Sequence, residues 1–184
     1  MAGYDYPADL KCRNYTMTDQ QIQDLFYLVH DKSHIMRPGT VSPVVRDLVQ
    51  ELREPQMTTL YRGLPKEDVV RLEMMFERGD MFQTWDSCLS FSELKHVAKK
   101  FSKSYGTRAV ARICYKHRNG LPEGLNVFGS LEKFVNKDDE SEMDMLDLAS
   151  MEKEWIFCQP RVFPVSRKMA TDGTMVFTVS LITL

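Results

Sequence analysis

A chain of 184 residues with 43% hydrophobic content fits a single domain, 1–184, and holds enough apolar material for a core without disulfide staples. A net charge of −2 advertises neither a nucleic-acid nor a membrane partner for the molecule as a whole, and no apolar run is long enough to span a membrane. The start, MAGYDYPADLKCRN, lacks the charged-then-apolar pattern of a secretory signal, so a cytoplasmic protein is expected. Cys12, Cys88, Cys114 and Cys158 are widely spaced, form no CxxC pair and have no histidine at zinc-ligand spacing. They are expected to be reduced thiols, with no metal bound.

In chain order, Thr18 and Gln21 form a capping box, and Ile22, Leu25, Phe26 and Val29 follow at helical spacing, predicting a helix that ends before Pro38-Gly39. Ser42-Pro43 starts a second helix with Val45, Leu48, Val49 and Leu52 on one stripe, closed by Pro55. Thr58 to Arg62 reads as a short strand stopped by Gly63 and Pro65, and Lys66 to Glu77 as a helix. Gly79 to Trp85 reads as a turn and strand; Ser92 then caps a helix carrying Leu94, Val97, Ala98 and Phe101.

Thr107 to Tyr115 alternates, with Ala109, Ala111, Ile113 and Tyr115 on one face and Arg108, Arg112 and Lys116 on the other, as in a half-buried strand. Asn119 to Ser150 is expected to be irregular and mobile apart from a short helix at Leu131–Val135. Strands are expected at Glu154–Phe157, Arg161–Ser166 and Thr174–Leu184, the last with Met175, Phe177, Val179 and Leu181 on one face. Helices first (1–56) and mostly strands afterwards (57–184) give an α+β domain, with no Rossmann or P-loop glycine fingerprint.

Charge is segregated. Leu94 to Pro122 contains no acid but eight bases, among them Lys95, Lys99, Lys103, Arg108 and Arg112, whereas Asp138 to Asp147 contains six acids and no base. His30, His34, His96 and His117 show no triad or ligand spacing, and the methionines read as core filler.

Three short motifs can carry chemistry. In Glu152-Lys153-Glu154, residues two apart on a strand project to one side, so two carboxylates can share a pocket, as glycosyl chemistry requires when positive charge develops on a sugar carbon. Arg62 ends a strand and offers a planar fork for a phosphate, and Gly63 lets a ligand approach the backbone. Ser90-Phe91-Ser92 leads from a strand into a helix and supplies a hydroxyl that can brace an active-site group.

The order and spacing of Leu60-Tyr61-Arg62-Gly63, Ser90-Phe91-Ser92 and Glu152-Lys153-Glu154-Trp155 resembles the arginine, serine, glutamate-x-glutamate signature of arginine-directed mono-ADP-ribosyltransferases. Among these it is most similar to the small ModA and ModB transferases of T-even bacteriophages. The family's middle motif is commonly Ser-Thr-Ser; here its centre is Phe91, so Ser87, Ser90 and Ser92 all stand as its serine.

The resemblance implies a fold of two packed, mainly antiparallel sheets and NAD as co-substrate, with no metal. It implies that Glu154 is the catalytic carboxylate and that Glu152 orients and helps deprotonate the acceptor. Arg62 would bind NAD phosphates, the Gly63 backbone would meet the nicotinamide amide, and Ser90 would hold Glu154 in place. The implied acceptor is an exposed arginine on a host bacterial protein of transcription or translation, with RNA or an RNA-binding protein as a further candidate. The acidic run before Glu152 falls where that family carries its acceptor-recognition loop. Two rival functions remain: NAD hydrolysis, with water as acceptor, and a binding module whose basic window contacts RNA.

Overall fold

The computed structural model describes residues 18–30, 42–114 and 122–183. The expected helix end near Pro38, the end of the alternating strand at Tyr115 and Lys116, and Cys12 lie outside them. Two helices open the described chain, α1 (Asp19–His30) and α2 (Pro43–Leu52). They are followed by β1 (Glu54–Pro55), β2 (Leu60–Gly63), α3 (Lys66–Arg78), β3 (Gln83–Thr84), β4 (Cys88–Ser92), α4 (Lys95–Ser104) and β5 (Ala109–Ile113). After residues 115–121 come β6 (Glu123–Asn126), α5 (Val127–Phe134), α6 (Glu140–Glu152), β7 (Glu154–Cys158), β8 (Arg161–Met169) and β9 (Met175–Ile182).

Local signals explain most of the boundaries. The capping box forms as expected, with Gln21 N donating to Thr18 Oγ1 at 3.1 Å and Thr18 N donating to Gln21 Oε1 at 2.8 Å, which satisfies two donors at the start of α1. Pro43 occupies the first turn of α2, although the Ser42 side chain makes no capping bond. Helix α3 stops at Gly79, whose φ of 66° is the left-handed conformation that ends helices cheaply only in glycine. The β8–β9 hairpin turns through Gly173, also at positive φ, and Asp172 closes it by accepting from Thr174 N at 2.9 Å and Lys99 Nζ at 2.6 Å. Those two donors, Lys99 first, hold the Asp172 carboxyl well below the ordinary carboxylate range.

Among the described residues nine strands run in the order β1-β6-β7-β4-β2-β5-β9-β8-β3, antiparallel except for the parallel β5–β9 pair. In that order β4 and β9 are separated by β2 and β5. Leu89 and Phe91 of β4 nevertheless line one small interior space with Val162, Val179 and Leu181 of β8 and β9. The sheet therefore curls so that its halves pack face to face, and the expected pair of layers is realised within one continuous ladder. Leu60, Ala111, Trp155, Phe157 and Phe177 fill this interior.

A second core lies on the outer face of β6 and β7. There Leu125 and Ile156 meet Ile22, Leu25 and Phe26 of α1, Val45 and Leu48 of α2, Leu131 of α5, and Met145 and Leu146 of α6. Helix α4 covers the outer face of β2 and β5. A Cβ on Gly63 would stand 2.4 Å from the Ala98 carbonyl oxygen and 2.8 Å from Ser102 N, both backbone atoms of α4. Gly63→Ala must therefore push α4 off the sheet. It is expected to cost about 2–3 kcal/mol, read as a lowered urea midpoint with an unchanged slope.

The structure corrects four expectations. Asn119–Ser150 is not irregular: its described part contains β6, α5 and α6, and the acidic run lies on a helix. Asp139 caps α6 by accepting from Glu142 N at 3.1 Å, and Glu142, fully buried, accepts from Asn136 N at 3.3 Å, so the acids help to build the helix rather than forming a solvated loop. Ser92 ends β4 rather than capping α4, whose N-cap is Leu94. The third correction is at Cys88 and Cys158, which are not thiols. They stand directly opposite each other on β4 and β7, 4.0 Å apart at Cα, and form a disulfide; Cys114 is free.

The fourth correction concerns the Glu-x-Glu motif. Glu152 ends α6, Lys153 adopts a left-handed φ of 43°, and Glu154 starts β7. The two carboxylates therefore straddle a helix-to-strand corner instead of alternating along one strand.

Candidate active site

Strand pairing brings Ser90, Ser92 and Glu154 together on one face of the sheet. Ser92 stands opposite Glu154, and Ser90 stands one step along the same face, so both serines project beside the Glu154 side chain. Ser90 Oγ donates to Glu154 Oε2. Ser92 Oγ donates to the Glu152 carbonyl and accepts from Leu94 N at 2.9 Å. Ser87 lies beyond the far end of β4, where its carbonyl accepts from Gln159 N at 3.0 Å. Among the three serines, the Ser90 hydroxyl is the one bonded to the Glu154 carboxylate.

Glu154 is only 6% exposed, so its carboxylate is held by neighbours rather than by water, and a fixed, shielded negative charge acts more strongly than one in solvent. The corner before it is clamped to the end of β4. Besides Ser92, Glu93 N donates to the Lys153 carbonyl at 3.1 Å, and Trp155 Nε1 donates to Glu93 Oε1 at 3.1 Å. Glu152 is half-buried at the C-terminus of α6 and is not isolated from its surroundings. Two further residues, Asp68 and Glu93, join the site without belonging to any of the three motifs. The sequence signal for Asp68 is its place in the acidic first turn of α3, and that for Glu93 its place between the Ser-x-Ser segment and the helix.

Arg62 reaches the same strands from β2. Its Nη1 donates to the Ser90 carbonyl at 3.1 Å, and its Nη2 pairs with Asp68 Oδ2 at 3.1 Å, both side chains being about one-fifth exposed. Its Nε is buried without a hydrogen-bond partner among the described residues. The guanidinium thus braces the strand that carries Ser90, which in turn holds Glu154. Lysine cannot span two acceptors in one plane, so Arg62→Lys is expected to lose about 1–2 kcal/mol of stability in a urea melt, even though the charge is kept. Gly63 lies under α4, and its lack of a side chain is already required by that packing.

No family model matches this sequence, and no curated protein matches it either. Solved structures do. An ADP-ribosyltransferase from Clostridium botulinum superposes with a TM-score of 0.56 at 10% identity, covering 92% of this chain and 89% of that one. Exoenzyme S from Pseudomonas aeruginosa, solved with human 14-3-3 protein beta and bound to Carba-NAD, gives a TM-score of 0.53 at 11% identity, covering 90% and 75%.

The chain has the ADP-ribosyltransferase fold. Against an ADP-ribosyltransferase of Pseudomonas syringae pv. Tomato the TM-score is 0.49 at 16% identity, and this chain spans only 51% of that longer protein. The arginine, serine and glutamate of the three sequence motifs lie on adjacent strands β2, β4 and β7, but only Ser90 and Glu154 share a face; Arg62 stands opposite Ala111 on the interior face and meets the Ser90 strand at its backbone carbonyl. No helix of the described residues is long and apolar enough to cross a membrane, and no three His, Cys, Asp or Glu side chains gather among them as a metal site would require.

Proposed function

We propose that this protein is a mono-ADP-ribosyltransferase that moves ADP-ribose from NAD to arginine side chains of host proteins and releases nicotinamide. The observation that carries the reading is the Ser90–Glu154 hydrogen bond, set on the ADP-ribosyltransferase fold with Arg62 bracing the Ser90 strand. The neighbouring fold of exoenzyme S holds Carba-NAD, which supports NAD as the co-substrate.

In this reading Glu154 accepts a hydrogen bond from a hydroxyl of the nicotinamide ribose and stabilises the positive charge that develops as the bond to nicotinamide breaks. Ser90 fixes the carboxylate. Glu152, at the end of α6, orients the acceptor guanidinium and takes its proton as the new bond to the anomeric carbon forms. A guanidinium has a pKa above ~12 and is no nucleophile until that proton leaves. The phage-type resemblance of the motifs supports a bacterial cytoplasm as the place of action and host transcription or translation proteins as acceptors.

Incubation with labelled NAD and bacterial lysate tests this directly. Label on proteins that is lost in Glu154→Gln supports transfer, and mapping it to arginine supports the acceptor class. Nicotinamide release without label would replace the reading by NAD hydrolysis. Label on RNA would replace the protein acceptor, and neither signal from the wild type would sink the enzyme reading.

A further inference from the structure

Glu154 and Glu152 reach the site by different routes. Glu154 stands within the pairing of β4 with β7, and Ser90 Oγ holds its carboxylate. Glu152 lies beyond the end of that ladder, as the last residue of α6, and reaches the site across Lys153. Lys153 has a φ of 43°, a left-handed conformation that costs a non-glycine residue free energy and persists only where its surroundings impose it. If Lys153 relaxed, the chain would continue as helix, turning residues two apart by about 200°, or as strand, putting both carboxylates on one face. Either way Glu152 would change its place relative to Glu154.

The end of β4 imposes the corner at three successive points. Ser92 Oγ donates to the Glu152 carbonyl, Glu93 N donates to the Lys153 carbonyl at 3.1 Å, and Trp155 Nε1 donates to Glu93 Oε1 at 3.1 Å. Glu93 takes part in two of these three bonds, once through its backbone and once through its side chain. Its partner Trp155 is buried in the interior core and stacked with Phe157, so the Glu93 carboxylate is anchored to a fixed ring.

We propose that Glu93 is a positioning residue that decides whether the ADP-ribose goes to the guanidinium or to water; the inference rests on the transfer reading above. Cleavage of the nicotinamide bond depends on Glu154, which the β4–β7 ladder and Ser90 hold. Transfer depends also on Glu152, whose carboxylate must meet the guanidinium proton as the new bond forms. A misplacement of about 1 Å can slow such a step by about a hundredfold. With the Glu93–Trp155 bond in place, the corner keeps Glu152 where the guanidinium needs it. Without that bond, water takes the anomeric carbon: a carbon–oxygen bond forms, a proton of the water is released, and free ADP-ribose leaves.

Protein-bound label, free ADP-ribose and free nicotinamide, measured together with labelled NAD and bacterial lysate, test this in wild type, Glu93→Ala, Glu93→Gln and Trp155→Phe. In Glu93→Ala the label bound per nicotinamide released is expected to fall about tenfold, with free ADP-ribose rising to match and KM for NAD little moved. Glu93→Gln keeps an oxygen for Trp155 Nε1 and should restore most of the ratio. Trp155→Phe removes the donor and should lower the ratio as Glu93→Ala does, with the double variant no worse than either single one. A folded Glu93→Ala with the wild-type ratio, or with label and nicotinamide reduced in equal proportion, overturns the role. So does a Glu93→Gln that behaves like Glu93→Ala, because the bond to Trp155 would then not be what matters. If Glu93→Ala does not fold, Trp155→Phe against Glu93→Gln decides by the same ratio. A wild type that leaves no label on protein overturns the transfer reading itself, whatever the variants do.

Discussion

Replacing Glu154 with glutamine is expected to lower labelled ADP-ribose transfer by about 10²–10³-fold or more, the loss seen when a fixed group that stabilises transition-state charge is removed. Glutamine preserves the shape of the side chain and still offers an oxygen to Ser90 Oγ, so the buried hydrogen bond survives and only the negative charge is lost. The melting temperature should move little, and NAD binding should persist. Nicotinamide release and protein labelling should fall together, because both depend on cleavage of the same bond. A folded Glu154→Gln that keeps more than a tenth of wild-type transfer would remove Glu154 from the chemistry.

The second large effect is at the other end of the same strand pair. Reduction of the Cys88–Cys158 disulfide releases a closed loop with a sequence separation of 70. In the chain-entropy account a loop of that length contributes about 4 kcal/mol, or roughly 8–16 °C in melting temperature for a domain of this size. The double variant Cys88→Ser/Cys158→Ser should melt with the reduced wild type and no longer respond to reductant. If reductant leaves the wild-type melt unchanged, the pair exists as the thiols that its sequence spacing suggests. The bridge lies two residues from Ser90 and four from Glu154, so in the reduced protein the measurement should include transferase activity as well as stability.

Parts of the sequence that carry their own local chemistry are legible. Thr18 and Gln21 define the start of α1 because the capping box is a short-range bond, and Leu60–Gly63 reads as a strand that stops because glycine and proline stop it. The alternation of Ala109, Ala111 and Ile113 against Arg112 survives in β5, although Val110 is also buried, because α4 covers the face that alternation alone would give to solvent. The acidic run conceals its helix because its charges mask the apolar positions Met145, Leu146 and Ala149. The usable signal is Asp139, a good N-cap residue, whose carboxylate accepts from Glu142 N.

What the sequence does not reveal depends on distant pairings. The Glu152–Glu154 corner depends on a left-handed Lys153 held by the end of β4, and the disulfide depends on β4 meeting β7 in one particular register. Ser90 separates from Ser92 only once that register places its hydroxyl on the Glu154 carboxylate. The partner of Arg62, Asp68, is close in sequence but faces it only after α3 turns back on β2.

The strand order also sets when the site comes into being. Arg62 lies next to Ala111 in β5, Ser92 next to Glu154 in β7, and β5 next to β9, so nearly every neighbour of the site is remote along the chain. Closing such loops costs entropy before any contact returns it, which makes folding of this topology slow and strongly cooperative. Arg62, Ser90 and Glu154 come into place only once β4 has paired with both β2 and β7. Activity should therefore track the fraction of fully native molecules during refolding, appearing last and in a single kinetic phase with the burial of Trp155.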